Sequence, residues 1–105
     1  NMQNFPLLKE IGKLDKPVIL KNGICSTVKE HLMSAEYIMS EGNDKVILCL
    51  RGTRTYEPSV RNTLDVTLIP IMQKMTHLPI IVDPSHAAGK REFVSALAYA
   101  GMAAG

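Results

Sequence analysis

One short design recurs three times along the chain: an apolar run without polar alternation that stops at a charged or ionisable group. Pro17-Val18-Ile19-Leu20 leads into Lys21-Asn22-Gly23, and Val46-Ile47-Leu48-Cys49-Leu50 into Arg51-Gly52. Leu78-Pro79-Ile80-Ile81-Val82 leads into Asp83-Pro84-Ser85-His86. Apolar runs of this length, rich in β-branched residues, read as strands buried on both faces, the pattern of a parallel sheet. Pro84 cannot donate to a ladder and biases Asp83 toward extended geometry, so the third strand should stop there. Ala87-Ala88-Gly89 then reads as a small, flexible turn. The runs lie roughly 30 to 35 residues apart, the repeat of a βαβ unit. Parallel strands in chain order with right-handed crossovers follow. Helices and loops of unequal length and pattern argue against a solenoid.

Helices fill the intervals. Asn4 is a candidate cap for a first helix with Pro6 in its first turn, apolar at Leu7, Leu8 and Ile11 and ended by Gly12. Thr27 and Glu30 have the capping-box spacing. Val28, Leu32, Ala35 and Met39 share the face behind them, with Ile38 alongside and Gly42 as a stop. The third helix should begin near Val66 with Asp65 as its cap, because Pro70 is harmless only in a first turn. Arg91 to Ala104 reads as a last helix around Phe93, Val94, Leu97 and Ala98.

The 105 residues allow one small domain. Twelve basic residues against ten acidic ones leave +2, too slight a bias to point to nucleic acid. No apolar run is long enough for a membrane helix, and no basic, then apolar, leader opens the sequence. A cytoplasmic protein is expected. Cys25 and Cys49 match no metal spacing and read as reduced, partly buried thiols.

Carboxyl ends of parallel strands lie on one side of the sheet, where α/β folds place their sites. Lys21, Arg51 and His86 should therefore converge. A lysine and an arginine at such a mouth suit a small anion, most simply a phosphate or carboxylate. His86 is open between metal ligand, general acid or base, and plain loop imidazole. Asp83 is open between orienting a ligand or Lys21 and capping its turn. His31, mid-helix, and His77, at the amino end of a strand, read as structural or solvated. Met33, Met39, Met72 and Met75 read as core or rim filler.

The three motifs, Lys16-Pro17-Val18-Ile19-Leu20-Lys21-Asn22-Gly23, Ile47-Leu48-Cys49-Leu50-Arg51-Gly52-Thr53-Arg54-Thr55-Tyr56-Glu57 and Pro79-Ile80-Ile81-Val82-Asp83-Pro84-Ser85-His86, resemble 3-deoxy-D-arabino-heptulosonate 7-phosphate synthases. Asn1 to Phe5 looks like the segment after that family's fourth barrel strand. The likeness covers essentially the whole chain, and the nearest branch is one often fused to chorismate mutase. It implies a (β/α)₈ barrel that condenses phosphoenolpyruvate with erythrose 4-phosphate on a divalent metal of the manganese, iron, zinc or cobalt type. That reaction is the first step of the shikimate route to aromatic amino acids, and the complete enzyme is expected to be a homo-oligomer. By motif position, Lys21 and Arg51 look like ligands for phosphoenolpyruvate, with Lys21 also catalytic. His86 looks like one of the metal ligands and a catalytic residue.

Against this family, residues 1–105 look like a single partial barrel domain holding strands five to seven, truncated at both ends. A full barrel takes about 250 residues and eight strands. The remaining metal ligands and the Lys-Pro-Arg-Thr loop for the sugar phosphate would lie outside the segment, and Cys25 does not match the family's cysteine ligand. Leu50 stands where many relatives carry an acidic residue. The sister 3-deoxy-octulosonate 8-phosphate synthases, and an inactive fragment that binds anions or self-associates, are the alternative readings.

Overall fold

The computed structural model describes residues 2–105. Helices and strands alternate: α1 (Phe5–Gly12), β1 (Val18–Lys21), α2 (Val28–Ser40), β2 (Val46–Leu50), α3 (Leu68–Met75), β3 (Ile80–Val82), α4 (Pro84–Ala88) and α5 (Val94–Ala104). The strands form one parallel sheet in chain order, with Val18 opposite Val46, Lys21 opposite Cys49, and Cys49 opposite Ile81. Among the described residues, no helix is long and apolar enough to cross a membrane.

Residues of α1, α2 and α3 pack on one face of the sheet. Leu20, Val46, Leu48 and Leu50 point into a core with Leu8, Ala35, Ile38, Ile69 and Met72. Successive strand residues face opposite ways, so Ile19 and Ile81 point to the other face, where they stay 56% and 41% exposed. The expectation of burial on both faces therefore fails for the outer strands. In β2, by contrast, both Leu48 and Cys49 are buried.

Local signals mostly act as the residues suggest. The Thr27 hydroxyl accepts the Glu30 amide at 3.1 Å, and Glu30 accepts the Thr27 amide at 3.0 Å, closing the capping box. The Leu7 amide donates to Asn4 at 3.3 Å. Gly12 does end α1, but its main service is packing: a Cβ there would lie 2.5 Å from the Ile38 carbonyl oxygen on α2.

Three segments depart from expectation. α3 begins at Leu68 rather than Val66, with Thr67 at the cap position. Asp65 instead accepts the amide and hydroxyl of Thr67, a local turn that delays the helix. The stretch after Asp83 is a helix, not a flexible turn: Pro84 fits its first turn, Asp83 caps it, and Gly89 ends it in the left-handed conformation. The last helix opens as a 3₁₀ turn over Arg91–Phe93 before α5.

His31 is structural. It is buried against the sheet, and its Nε2 donates to the Leu20 carbonyl at 2.9 Å, next to Lys21. Burial pushes its pKa down, against the smaller opposing effect of that hydrogen bond. The folded ring is held neutral, so the unfolded chain takes up the proton first as pH falls through about 6.5. Stability should be fully present above that pH and decline below it. The carboxylates with lowered pKa act only lower, around pH 4.5 and beneath. Urea midpoints measured between pH 7 and 5 should fall for the parent chain and stay flatter for His31→Gln.

Candidate functional site

The carboxyl ends of the three strands build a polar mouth. Lys21 closes β1, Arg51 follows β2 directly, and His86 sits in the first turn of α4, just beyond β3. Asp83 joins two of them. Its Oδ2 accepts the His86 Nδ1–H at 2.6 Å and lies 3.6 Å from Lys21 Nζ, while its Oδ1 accepts the His86 amide at 3.2 Å. The two readings left open for Asp83 are thus both realised: it caps α4 and it pairs with Lys21. Burial works against the charge of Asp83, but the His86 hydrogen bonds and the charges of His86 and Lys21 outweigh it and hold the carboxyl below its ordinary value. With Nδ1 committed to Asp83, the His86 Nε2 has no hydrogen-bond partner among the described residues.

Arg51 is held apart from that chain of contacts. Its Nε donates to the Asn22 backbone carbonyl at 2.8 Å, and its amide donates to the Asn22 side-chain oxygen, also at 2.8 Å. Neither terminal guanidinium nitrogen has a partner among the described residues. Lys21 and Arg51 share the lining of an open hollow of about 800 Å³ that also includes Ile19, Ile24 and Cys25. Arg51 and His86 share a second hollow, of about 240 Å³, with Arg54, Arg61 and Asn62. Arg51 and Ile24 line both hollows.

The loop after β2 is tied across the mouth. Thr53 and Thr63 exchange backbone hydrogen bonds at 2.9 and 2.8 Å, the Arg54 amide donates to the Ile24 carbonyl, and the Asn62 amide to the Ala87 carbonyl. Gly52 makes this possible. Its φ of +91° suits glycine, and a Cβ would meet Asn62 Cβ at 2.9 Å and Ala87 Cβ at 3.1 Å.

Other titratable groups have no comparable place. Cys49 is buried on the face shared with Lys21, and burial first, then the charge of Asp83, pushes its thiol up, so it is a poor nucleophile. Cys25 is exposed, and both cysteines are unpaired thiols. His77 is exposed and precedes β3, at the opposite end of the sheet from His86. The residue that sequence reasoning passed over is Asn22. Its position straight after a strand-end lysine was visible, but nothing local marked it as buried.

A family model described as the DAHP synthetase I family matches residues 1–105. The chain belongs to that family. A phospho-2-dehydro-3-deoxyheptonate aldolase of Thermotoga maritima is 53% identical over all 105 residues, and the chain spans 31% of that relative's length. A 2-dehydro-3-deoxyphosphooctonate aldolase of Syntrophobacter fumaroxidans is 29% identical over 110 aligned positions. The crystal structure of the Thermotoga maritima enzyme superposes on the whole chain with a TM-score of 0.98, and 31% of that structure is covered. A truncated form of the same synthase gives 0.97, with 40% covered. The three parallel strands of this DAHP synthetase I chain are thus a segment of the family's (β/α)₈ barrel.

Proposed function

We propose that the chain supplies part of the active mouth of a 3-deoxy-D-arabino-heptulosonate 7-phosphate synthase, which joins phosphoenolpyruvate to erythrose 4-phosphate. The 53% identity along the entire chain to a heptonate aldolase carries this reading. The octonate aldolases match less closely, at 41% over 83 residues and 37% over 100.

The residues suit the chemistry. In the reaction the enol carbon of phosphoenolpyruvate bonds to the aldehyde carbon, water adds to the cationic carbon left behind, and inorganic phosphate departs. Lys21, beside Asp83, and the outward edge of Arg51 hold the carboxylate and phosphate of the enol substrate. Asp83 fixes the ring of His86 through Nδ1, the usual support for an imidazole that ligates through its other nitrogen. His86 therefore fits as one donor to a divalent metal. Among the described residues, no group of three or more His, Cys, Asp or Glu is placed to hold an ion, so the chain contributes a ligand rather than a site. When bound, the metal would polarise the aldehyde oxygen.

The test exchanges residues 1–105 for the matching segment of the Thermotoga maritima enzyme. The exchanged barrel is expected to release phosphate from phosphoenolpyruvate with the four-carbon aldose phosphate and to be much slower with a five-carbon one. Carbon count makes this decisive, since three plus four gives a heptulosonate and three plus five an octulosonate. A preference for the five-carbon substrate would overturn the reading.

A further inference from the structure

We propose that Asn22 is a positioning residue that sets the aim of Arg51, and through it the affinity for the enol substrate; this rests on the function proposed above. Asn22 is 4% exposed at the end of a sheet whose neighbouring Lys21 is open to solvent. A buried amide side chain is costly unless both its donor and its acceptor are satisfied. Here they are. The side-chain oxygen accepts the Arg51 amide at 2.8 Å, and the side-chain nitrogen donates to the Gly23 carbonyl at 2.9 Å and the Gly52 carbonyl at 3.0 Å. The Asn22 backbone adds two more links, its amide donating to the Cys49 carbonyl at 3.1 Å and its carbonyl accepting Arg51 Nε at 2.8 Å.

These contacts hold Arg51 at two points. The side chain of Asn22 grips the residues at either side of the 51–52 peptide, and its backbone grips the guanidinium partway along. An arginine presents five N–H donors in a rigid fork. Spending Nε on Asn22 leaves the two terminal nitrogens as an unpartnered pair, suited to bidentate capture of a phosphate or carboxylate. The Asn22 contact to the Gly52 carbonyl also fixes the turn that carries the loop from β2 toward Ala87.

The side-chain chemistry is specific. Arg51 offers a donor and the two glycines offer acceptors, so the residue must accept on one side and donate on the other. An ionised aspartate keeps the acceptor and sets a negative charge against two carbonyl oxygens. A protonated aspartate recovers one donor.

The experiment uses the exchanged barrel and steady-state kinetics for each substrate. Asn22→Ala is expected to raise KM for phosphoenolpyruvate roughly ten- to hundred-fold, the scale of leaving buried polar groups unpaired, with little change for the aldose phosphate. Asn22→Asp should show a similar loss, because the carboxylate keeps the acceptor for the Arg51 amide but sets a negative charge against the Gly23 and Gly52 carbonyls. An unchanged KM for phosphoenolpyruvate, or an equal rise for both substrates, would overturn the proposal, since a merely structural role does not separate them. Hydrogen exchange at the Arg51 amide is read in the same proteins, with the Leu48 amide as internal reference. If the parent barrel consumes no phosphoenolpyruvate, the function reading fails, and exchange then decides whether Asn22 holds Arg51. At least tenfold faster exchange at Arg51 alone in Asn22→Ala supports the hold, and unchanged exchange overturns it.

Discussion

Arg51→Ala, carried in the exchanged barrel, is expected to weaken phosphoenolpyruvate binding by tens to thousands of fold while leaving the response to the aldose phosphate nearly intact. Truncating one member of a desolvated, hydrogen-bonded charge pair costs about 2–5 kcal/mol, much of it from the partner left unpaired. Arg51 is only partly exposed, and its Nε is already fixed by the Asn22 carbonyl, so little ordering remains to be done when the anion arrives. Arg51→Lys should recover only part of the loss, because an ammonium has no second parallel donor and cannot reproduce the Nε contact with the terminal nitrogens free. Initial rates with each substrate varied in turn check this. A variant with an altered aldose response and an unchanged phosphoenolpyruvate response would remove Arg51 from the enol site.

The second large effect is expected at the Asp83–His86 pair. His86→Ala in the exchanged barrel should lose its tightly bound divalent ion and its turnover together. Asp83→Asn should keep the ring but hold it less firmly, and cost about 10–100-fold in metal affinity or activity, the usual loss when the partner of a ligating histidine is removed. The 2.6 Å contact to Nδ1 motivates the second figure, and the capping bond from the His86 amide adds to it, because Asp83 positions both the ring and the helix turn that bears it. Manganese titration followed by direct metal analysis gives the stoichiometry, and phosphate release gives the turnover. A stoichiometric ion retained by His86→Ala would exclude His86 as a ligand. By the same count of donors, the 105-residue chain alone should bind manganese only weakly, since a transition metal is held by several ligands in fixed geometry.

Features that depend on neighbours a few residues away can be read from the residues alone. The three apolar runs, each with its charged terminus, were enough to establish three strands, their parallel sense and the end of the sheet where Lys21, Arg51 and His86 gather. The Thr27–Glu30 capping box and the Asn4 cap were equally legible, because each is closed within three residues. The tertiary structure alone decided which polar groups at the mouth touch. Asn22 meets Arg51 across 29 positions, and Lys21 meets Asp83 only because Cys49 pairs with both Lys21 and Ile81 in the register of the sheet. A slip of one residue would turn each of these side chains to the opposite face, and no local pattern fixes the register that closely. The exposure of Ile19 and Ile81 has the same origin: an apolar run declares that a side chain suits burial, but only the elements packed around it decide whether burial occurs.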